Sequence, residues 1–316
     1  MRLSVEELKQ YYFGAYSFEV TDEGYLQAFQ YNAPQIEYFK NKDIFFYERC
    51  TASTSKTLEF ITDATDISFD YKIIWRGSDD TFELTIDGLI TDIRYLKDME
   101  NTGRLNFTLP EGNKKVAIYL PADATALIRN LDINAAATVP DKSPKVLWLG
   151  DSITQGYGPL RSAETYVSVA NRILNFDIIN QGIGGYVYDK GSLMKMEGYT
   201  PDKIIVSLGT NQFGDKDMTP IEEYYERLFD IYGSDIPTLT ITPLWRGDVP
   251  GGEPDLISFC DKLKSICGSY DNIMVVDGFT LVPHLSEYFL DDLHPNALGC
   301  EIYGRALAEF ILTVGF

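Results

Sequence analysis

The chain has 316 residues, with 47 acidic against 27 basic side chains and a formal net charge of −20. That balance denies it the basic face that DNA, RNA or an anionic membrane surface requires. Its length predicts two domains, 45% hydrophobic residues suffice for packed cores, and no window approaches the roughly 18 apolar residues of a membrane span.

At the N-terminus, "MRLSVEELKQ" places Glu6, Glu7 and Lys9 where a signal peptide needs an unbroken apolar stretch. Cys50, Cys260, Cys267 and Cys300 form no C-x-x-C pair and read as buried thiols of a reducing compartment, so a cytoplasmic location is expected. The first 50 residues are irregular and are expected to add edge strands. From about Lys56 to Asn134 the rhythm is period two. "ISFDYKIIW" places Ile67, Phe69, Tyr71, Ile73 and Trp75 on one face; "TFELTIDGLI" repeats the pattern with Phe82, Leu84 and Ile86, and Asp87-Gly88 reads as a hairpin turn. Successive short alternating strands predict an all-β sandwich or jelly roll over residues 1–140.

After "NAAATVPDKSP" the rhythm changes. "KVLWLG", "FDIINQG", "KIIVSLG", "PTLTITP" and "NIMVVDG" are short apolar runs suited to buried parallel strands. Helical spacing falls between them at Ala163 to Leu174 and Pro220 to Tyr232, and last at Asn296 to Leu312. Residues 145–316 therefore predict an α/β domain, a doubly wound five-stranded parallel sheet. Ligands of such sheets bind at the carboxyl ends of the strands. That rim gathers Gly150-Asp151-Ser152, Asn180 to Gly185, Gly209-Thr210-Asn211 and the loop before the last helix.

"VLWLGDSITQGYG" has neither the lysine nor the glycine spacing of a phosphate-binding loop, so Ser152 is read as a nucleophile. A nucleophilic serine needs a base and an orienting group. Of only two histidines, His294 in "LDDLHPNALG" lies on the rim with Asp291 three residues before it. Asp292 is the competitor for the orienting role. His284 has no carboxylate at that spacing and reads as a surface or packing residue. The Ser152 and Gly185 N–H groups and the Asn211 amide are the candidate oxyanion donors. Asp151 is assigned to its own loop, and Trp148 to the core. Trp245, Tyr157 and Tyr186 are placed in the substrate pocket. Arg246 is read either as a ligand for an acidic substrate group or as a surface ion pair. No cluster has metal-ligand spacing, so neither a metal nor a cofactor is expected.

Each triplet alone is common; the ordered set is not. "GDSIT", the glycine of "NQGIGG", "GTN" and "DDLH" together resemble the SGNH hydrolases, or GDSL esterase/lipase family, over roughly Lys145 to Phe316. The resemblance implies a flavodoxin-like fold, Ser152 as nucleophile, Gly185 and Asn211 as oxyanion donors, and Asp291 with His294 completing a triad. Gln212 departs from the acidic residue many relatives carry there. A β-rich domain ahead of such a domain looks most like the two-domain carbohydrate esterases, some of which work with a Ser-His dyad. The expected reaction is hydrolysis of a short acetyl-type ester on a small molecule or oligosaccharide. The alternatives are a lipase or thioesterase and an inactive carbohydrate-binding protein.

Overall fold

The structure, a computed structural model, describes residues 2–249 and 251–316. Two antiparallel sheets occupy the N-terminal part. One runs in the order Tyr12–Phe13, Thr57–Thr62, Lys114–Tyr119, Thr81–Ile86, Leu89–Tyr95, with Ala137–Thr138 added against Thr57–Thr62. The other runs Ser17–Val20, Leu26–Phe29, Ala124–Ile133, Asp66–Arg76, Thr102–Thr108. Their inner faces meet in one core, with Phe60, Phe82, Val116 and Ile118 from the first and Ile67, Phe69, Phe107 and Ile128 from the second. This is the sandwich the period-two pattern specifies, since alternate residues share a face.

The outer face of the first sheet is also buried. Thr81, Glu83 and Thr85 are at most 3% exposed, because this face packs on the C-terminal half. There Arg161 makes a two-point ion pair with Glu83 (2.9 and 2.8 Å), and the Ser162 N–H donates to Thr81 Oγ1. A buried carboxylate needs such a partner.

Two expectations for the N-terminal half are corrected. Trp75 does not continue the inward row of Ile67 to Ile73: the strand shifts register opposite Thr125/Ala126, which flips the parity of the residues beyond. Trp75 stands outward instead. The first 50 residues also do more than add strands; Ala33–Lys42 (α1) and Ile44–Cys50 (α2) are helices. α1 starts at a capping box between Asn32 and Gln35 with proline in its first turn. The run "NAPQ" carries that signal in the sequence.

In the C-terminal half, β1 (Lys145–Gly150), β2 (Asp177–Gly182), β3 (Lys203–Ser207), β4 (Thr238–Ile241) and β5 (Ile273–Val276) form a five-stranded parallel sheet in the order 2-1-3-4-5. That is the flavodoxin-like order, whose reversal falls beside β1. The four-residue helix α3 (Ser152–Gln155) follows β1 directly, and then come α4 (Tyr166–Leu174), α5 (Thr219–Tyr232), α6 (Glu253–Cys267) and α7 (Ala297–Val314). α4 and α7 cover one face of the sheet, where Val146, Trp148 and Ile205 meet Tyr303 and Leu307; α5 and α6 cover the other, where Leu147, Ile204 and Val206 meet Tyr225, Leu228 and Leu263. Burial on both faces explains why these strands read as unbroken apolar runs. Trp148 is fully buried, and its indole N–H donates to the Tyr166 hydroxyl. Cys260 and Cys267 share α6, and all four cysteines are free and buried.

Candidate active site

β1 ends at Gly150 and the chain turns at once into α3, which places Ser152 at the carboxyl edge of the sheet. Asp151 makes the turn possible: its Oδ1 accepts the Ile153 N–H at 3.0 Å, capping α3. Burial pushes this carboxyl up to about 7, against the lowering influence of the Ile153 N–H and of Arg246. Asp151 thus serves its loop.

The loop ahead of α7 folds back on its own carboxylate. Asp291 Oδ1 accepts the N–H groups of Leu293 (3.2 Å) and His294 (2.8 Å), and Oδ2 lies 2.8 Å from His294 Nδ1. A carboxylate only accepts, so Nδ1 carries a proton, and in the neutral ring Nε2 keeps its lone pair. Nε2 lies 2.8 Å from Ser152 Oγ. Partial burial raises the Asp291 carboxyl, but the bonds from the His294 backbone and ring, the histidine's charge and the Leu293 N–H outweigh it and hold the group below its ordinary value. Asn296 fixes the far side of the loop, capping α7 through Gly299 and donating to the Glu287 carbonyl. The Tyr157 ring meets the His294 ring edge-on at 4.7 Å.

Gly185 sits at φ +72°, where a side chain would be strained, and its N–H has no protein acceptor among the described residues. Asn211 reaches across from the end of β3 and donates one amide proton to the Tyr186 carbonyl at 2.9 Å, which leaves its second proton for a ligand. Gln212 Oε1 accepts the Tyr188 N–H at 2.7 Å, a bond a carboxylate oxygen makes equally well. Ser152, Gly185 and Asn211 thus stand at the ends of β1, β2 and β3.

The other residues divide. Asp292, at φ +60°, faces Gly247, whose N–H its carbonyl accepts at 2.8 Å, while its carboxylate takes no part in the bonds to His294. His284 stacks on Trp245 (5.6 Å, 6° between planes), with Nε2 2.9 Å from the Phe279 carbonyl. Trp245 is half-buried, and its ring and Asp292 Cβ crowd the same face of Gly247, so it does border the histidine loop. Arg246 makes a two-point ion pair with Asp248 (2.9 and 2.7 Å) and donates to the Thr210 carbonyl beside Asn211.

Tyr186 is not a pocket residue. It is 5% exposed, packs edge-on against Phe39 of α1 and Phe46 of α2, and donates its hydroxyl to Asp189 at 2.7 Å. Its place at the rim goes to residues the sequence reading passed over. Phe45, 40% exposed, lies 3.4 Å from the point a Cβ on Gly185 would occupy. The Arg49 guanidinium stacks 3.4 Å from the centre of the Phe45 ring and 5.5 Å from that of Trp75. The aromatic run of "IFFYERC" was the available signal.

Residues 148–302 match the model of the GDSL-like lipase/acylhydrolase family. The chain therefore carries a domain of that family, an SGNH-type esterase/acylhydrolase domain. A multidomain esterase of Ruminococcus flavefaciens is 25% identical in an alignment 231 residues long that covers 56% of this chain and 29% of that protein. The fold, sandwich included, is shared with the salicylyl-acyltransferase SsfX3 from a tetracycline biosynthetic pathway (TM-score 0.74, 19% identity, 96% of this chain and 94% of that one). It is also shared with a family two carbohydrate esterase from Cellvibrio japonicus (TM-score 0.65, 16% identity, 99% and 97%).

Proposed function

We propose that this protein hydrolyses short-chain, acetyl-type esters of carbohydrates through an acyl-enzyme on Ser152. The observation that carries this reading is the unbroken chain Ser152 Oγ–His294 Nε2–Asp291, with both hydrogen bonds at 2.8 Å. His294 Nε2 takes the hydroxyl proton as Oγ attacks the ester carbonyl. The oxyanion forms against the Ser152 and Gly185 N–H groups and the free Asn211 amide proton. His294 then protonates the departing alcohol, and by the reverse sequence it activates the water that releases the acid. The family two carbohydrate esterase of like fold supports a sugar as the alcohol, as do the half-buried Tyr157 and Trp245 rings, whose faces suit sugar C–H surfaces.

Acetate release from acetylated oligosaccharides tests the substrate class directly. Acyl preference is the sharper test, because a lipase gains about 0.8 kcal/mol for each CH₂ it buries, which compounds to orders of magnitude in kcat/KM from acetate to octanoate. Here kcat/KM on p-nitrophenyl esters should fall beyond about four carbons, because the sequences of the rim loops are rich in Gly, Tyr, Asp and Lys. A profile rising through eight to twelve carbons would replace this reading with the lipase one.

Asn211→Ala should lower kcat by about 10²- to 10³-fold with little change in KM, since its free proton meets charge that develops only in the transition state. An effect confined to KM would remove Asn211 from the oxyanion site.

A further inference from the structure

A single side chain ties the nucleophile's helix to the oxyanion loop. Gln155, the last residue of α3 and 1% exposed, accepts the Gly184 N–H on Oε1 at 2.7 Å and donates from Nε2 to Asp123 Oδ1 at 2.7 Å. Its amide can point only this way, because a backbone N–H only donates and an ionised carboxylate only accepts. Asp123 comes from the sandwich and is itself held: Asp80 Oδ2 accepts the Ala122 and Asp123 N–H groups at 2.5 and 3.1 Å. Burial pushes the Asp123 carboxyl up to about 6, opposed by bonds from Ser78 and Gln155 and by the charge of Arg49. Arg49 closes the other side of the loop, lying 3.0 Å from where a Cβ on Gly184 would stand; a side chain there would displace it.

We propose that Asp123 and Gln155 are positioning residues for the oxyanion site, through which the β-rich domain sets the register between Ser152 and the Gly185 N–H. The Gly184 and Gly185 N–H groups lie in adjacent peptide planes joined at the Gly184 Cα. With the first plane pinned, only φ and ψ of Gly184 stand between it and the Gly185 N–H, which limits how far that N–H moves from the point where the oxyanion forms. Gln155 is three residues from Ser152 on the same rigid turn, so both oxyanion N–H donors are referred to one side chain. Donors aimed in advance at developing charge are what such a site supplies, and a misplacement of about 1 Å can cost on the order of 10²-fold. The inference rests on the ester-hydrolase reading above.

The test inverts the polarity of the pair. In Gln155→Glu the new carboxylate still accepts the Gly184 N–H, but at alkaline pH, where both carboxyls are ionised, it repels Asp123 and the link opens; the three variants are therefore compared there. In Asp123→Asn the amide oxygen still accepts from Gln155, so the link survives. In the double variant the amide introduced at position 123 donates to the carboxylate introduced at position 155, and the link is rebuilt with that one bond reversed and the Gly184 bond unchanged. On p-nitrophenyl acetate, Gln155→Glu should lose on the order of 10- to 100-fold in kcat with KM nearly unchanged. Asp123→Asn should stay within a few-fold of wild type, and the double variant should recover most of the loss. Melting temperatures identify any variant that is merely unfolded, and recovery in the double variant requires a folded protein in any case. A folded Gln155→Glu with wild-type kcat, or a folded double variant no faster than Gln155→Glu, overturns the proposal. If the wild type itself fails to turn over esters, the functional reading fails instead, and the two failures are told apart by that one measurement.

Discussion

Ser152→Ala is expected to abolish turnover, lowering kcat on p-nitrophenyl acetate on the order of 10⁶-fold by the behaviour of other serine hydrolases. The loss is this large because the hydroxyl is both the attacking group and the atom that carries the acyl chain between the two half-reactions. The substitution removes only Oγ from a residue 8% exposed, so fold and substrate binding should persist. KM or an inhibitor constant should therefore change little while the pre-steady-state burst of p-nitrophenol disappears. His294→Ala should fall to the same floor, and the double variant should go no lower, since neither residue acts without the other. His284→Ala is the matched control: its ring stacks on Trp245 and its Nε2 meets a backbone carbonyl, so it should be nearly silent. Equal rates from wild type and Ser152→Ala would remove the catalytic claim altogether.

What the sequence made legible followed from how many constraints bore on each segment. β1 to β4 are largely buried between helices on both faces, and the edge strand β5 partly so, so their apolar runs admit few readings. The inward row Ile67 to Ile73 and the Asp87-Gly88 turn are periodic and local, with Thr81–Ile86 pairing Leu89–Tyr95 around the turn. The short loop from Asp291 to His294 is local as well, and spacing alone suffices to propose that carboxylate and imidazole meet. Three features were out of reach for one physical reason: each depends on a partner distant in sequence. Trp75 leaves its row because of a register shift against the strand that carries Thr125 and Ala126. Tyr186, in a glycine-rich rim loop, looks exposed until Phe39 and Phe46 are brought over it. Gln155 appears as one polar residue in "GDSITQGYG"; only folding brings Asp123 to one end of its amide and Gly184 to the other.

Asp291→Asn should be the next most damaging change, on the order of 10⁴-fold in kcat, and should be worse than Asp291→Ala. The geometry forces this order. Two backbone N–H groups, from Leu293 and His294, point at Oδ1, so in the variant the amide oxygen must take that position. The amide NH₂ then occupies the Oδ2 position, 2.8 Å from His294 Nδ1. A donor there requires Nδ1 to accept, which moves the ring proton to Nε2, the nitrogen that must receive the proton from Ser152. The alanine variant loses the orienting bond but leaves either tautomer available, so some productive imidazole survives. Asp292→Asn should stay within a few-fold of wild type, because residue 292 acts through its carbonyl to Gly247 and asparagine tolerates the left-handed φ of +60°. Steady-state kinetics on the three purified variants give the ranking. Mild effects at both aspartates would mean that Ser152 and His294 work as a dyad, whereas a larger loss at Asp292 would mean that the bonds drawn at Asp291 are not those that orient the ring.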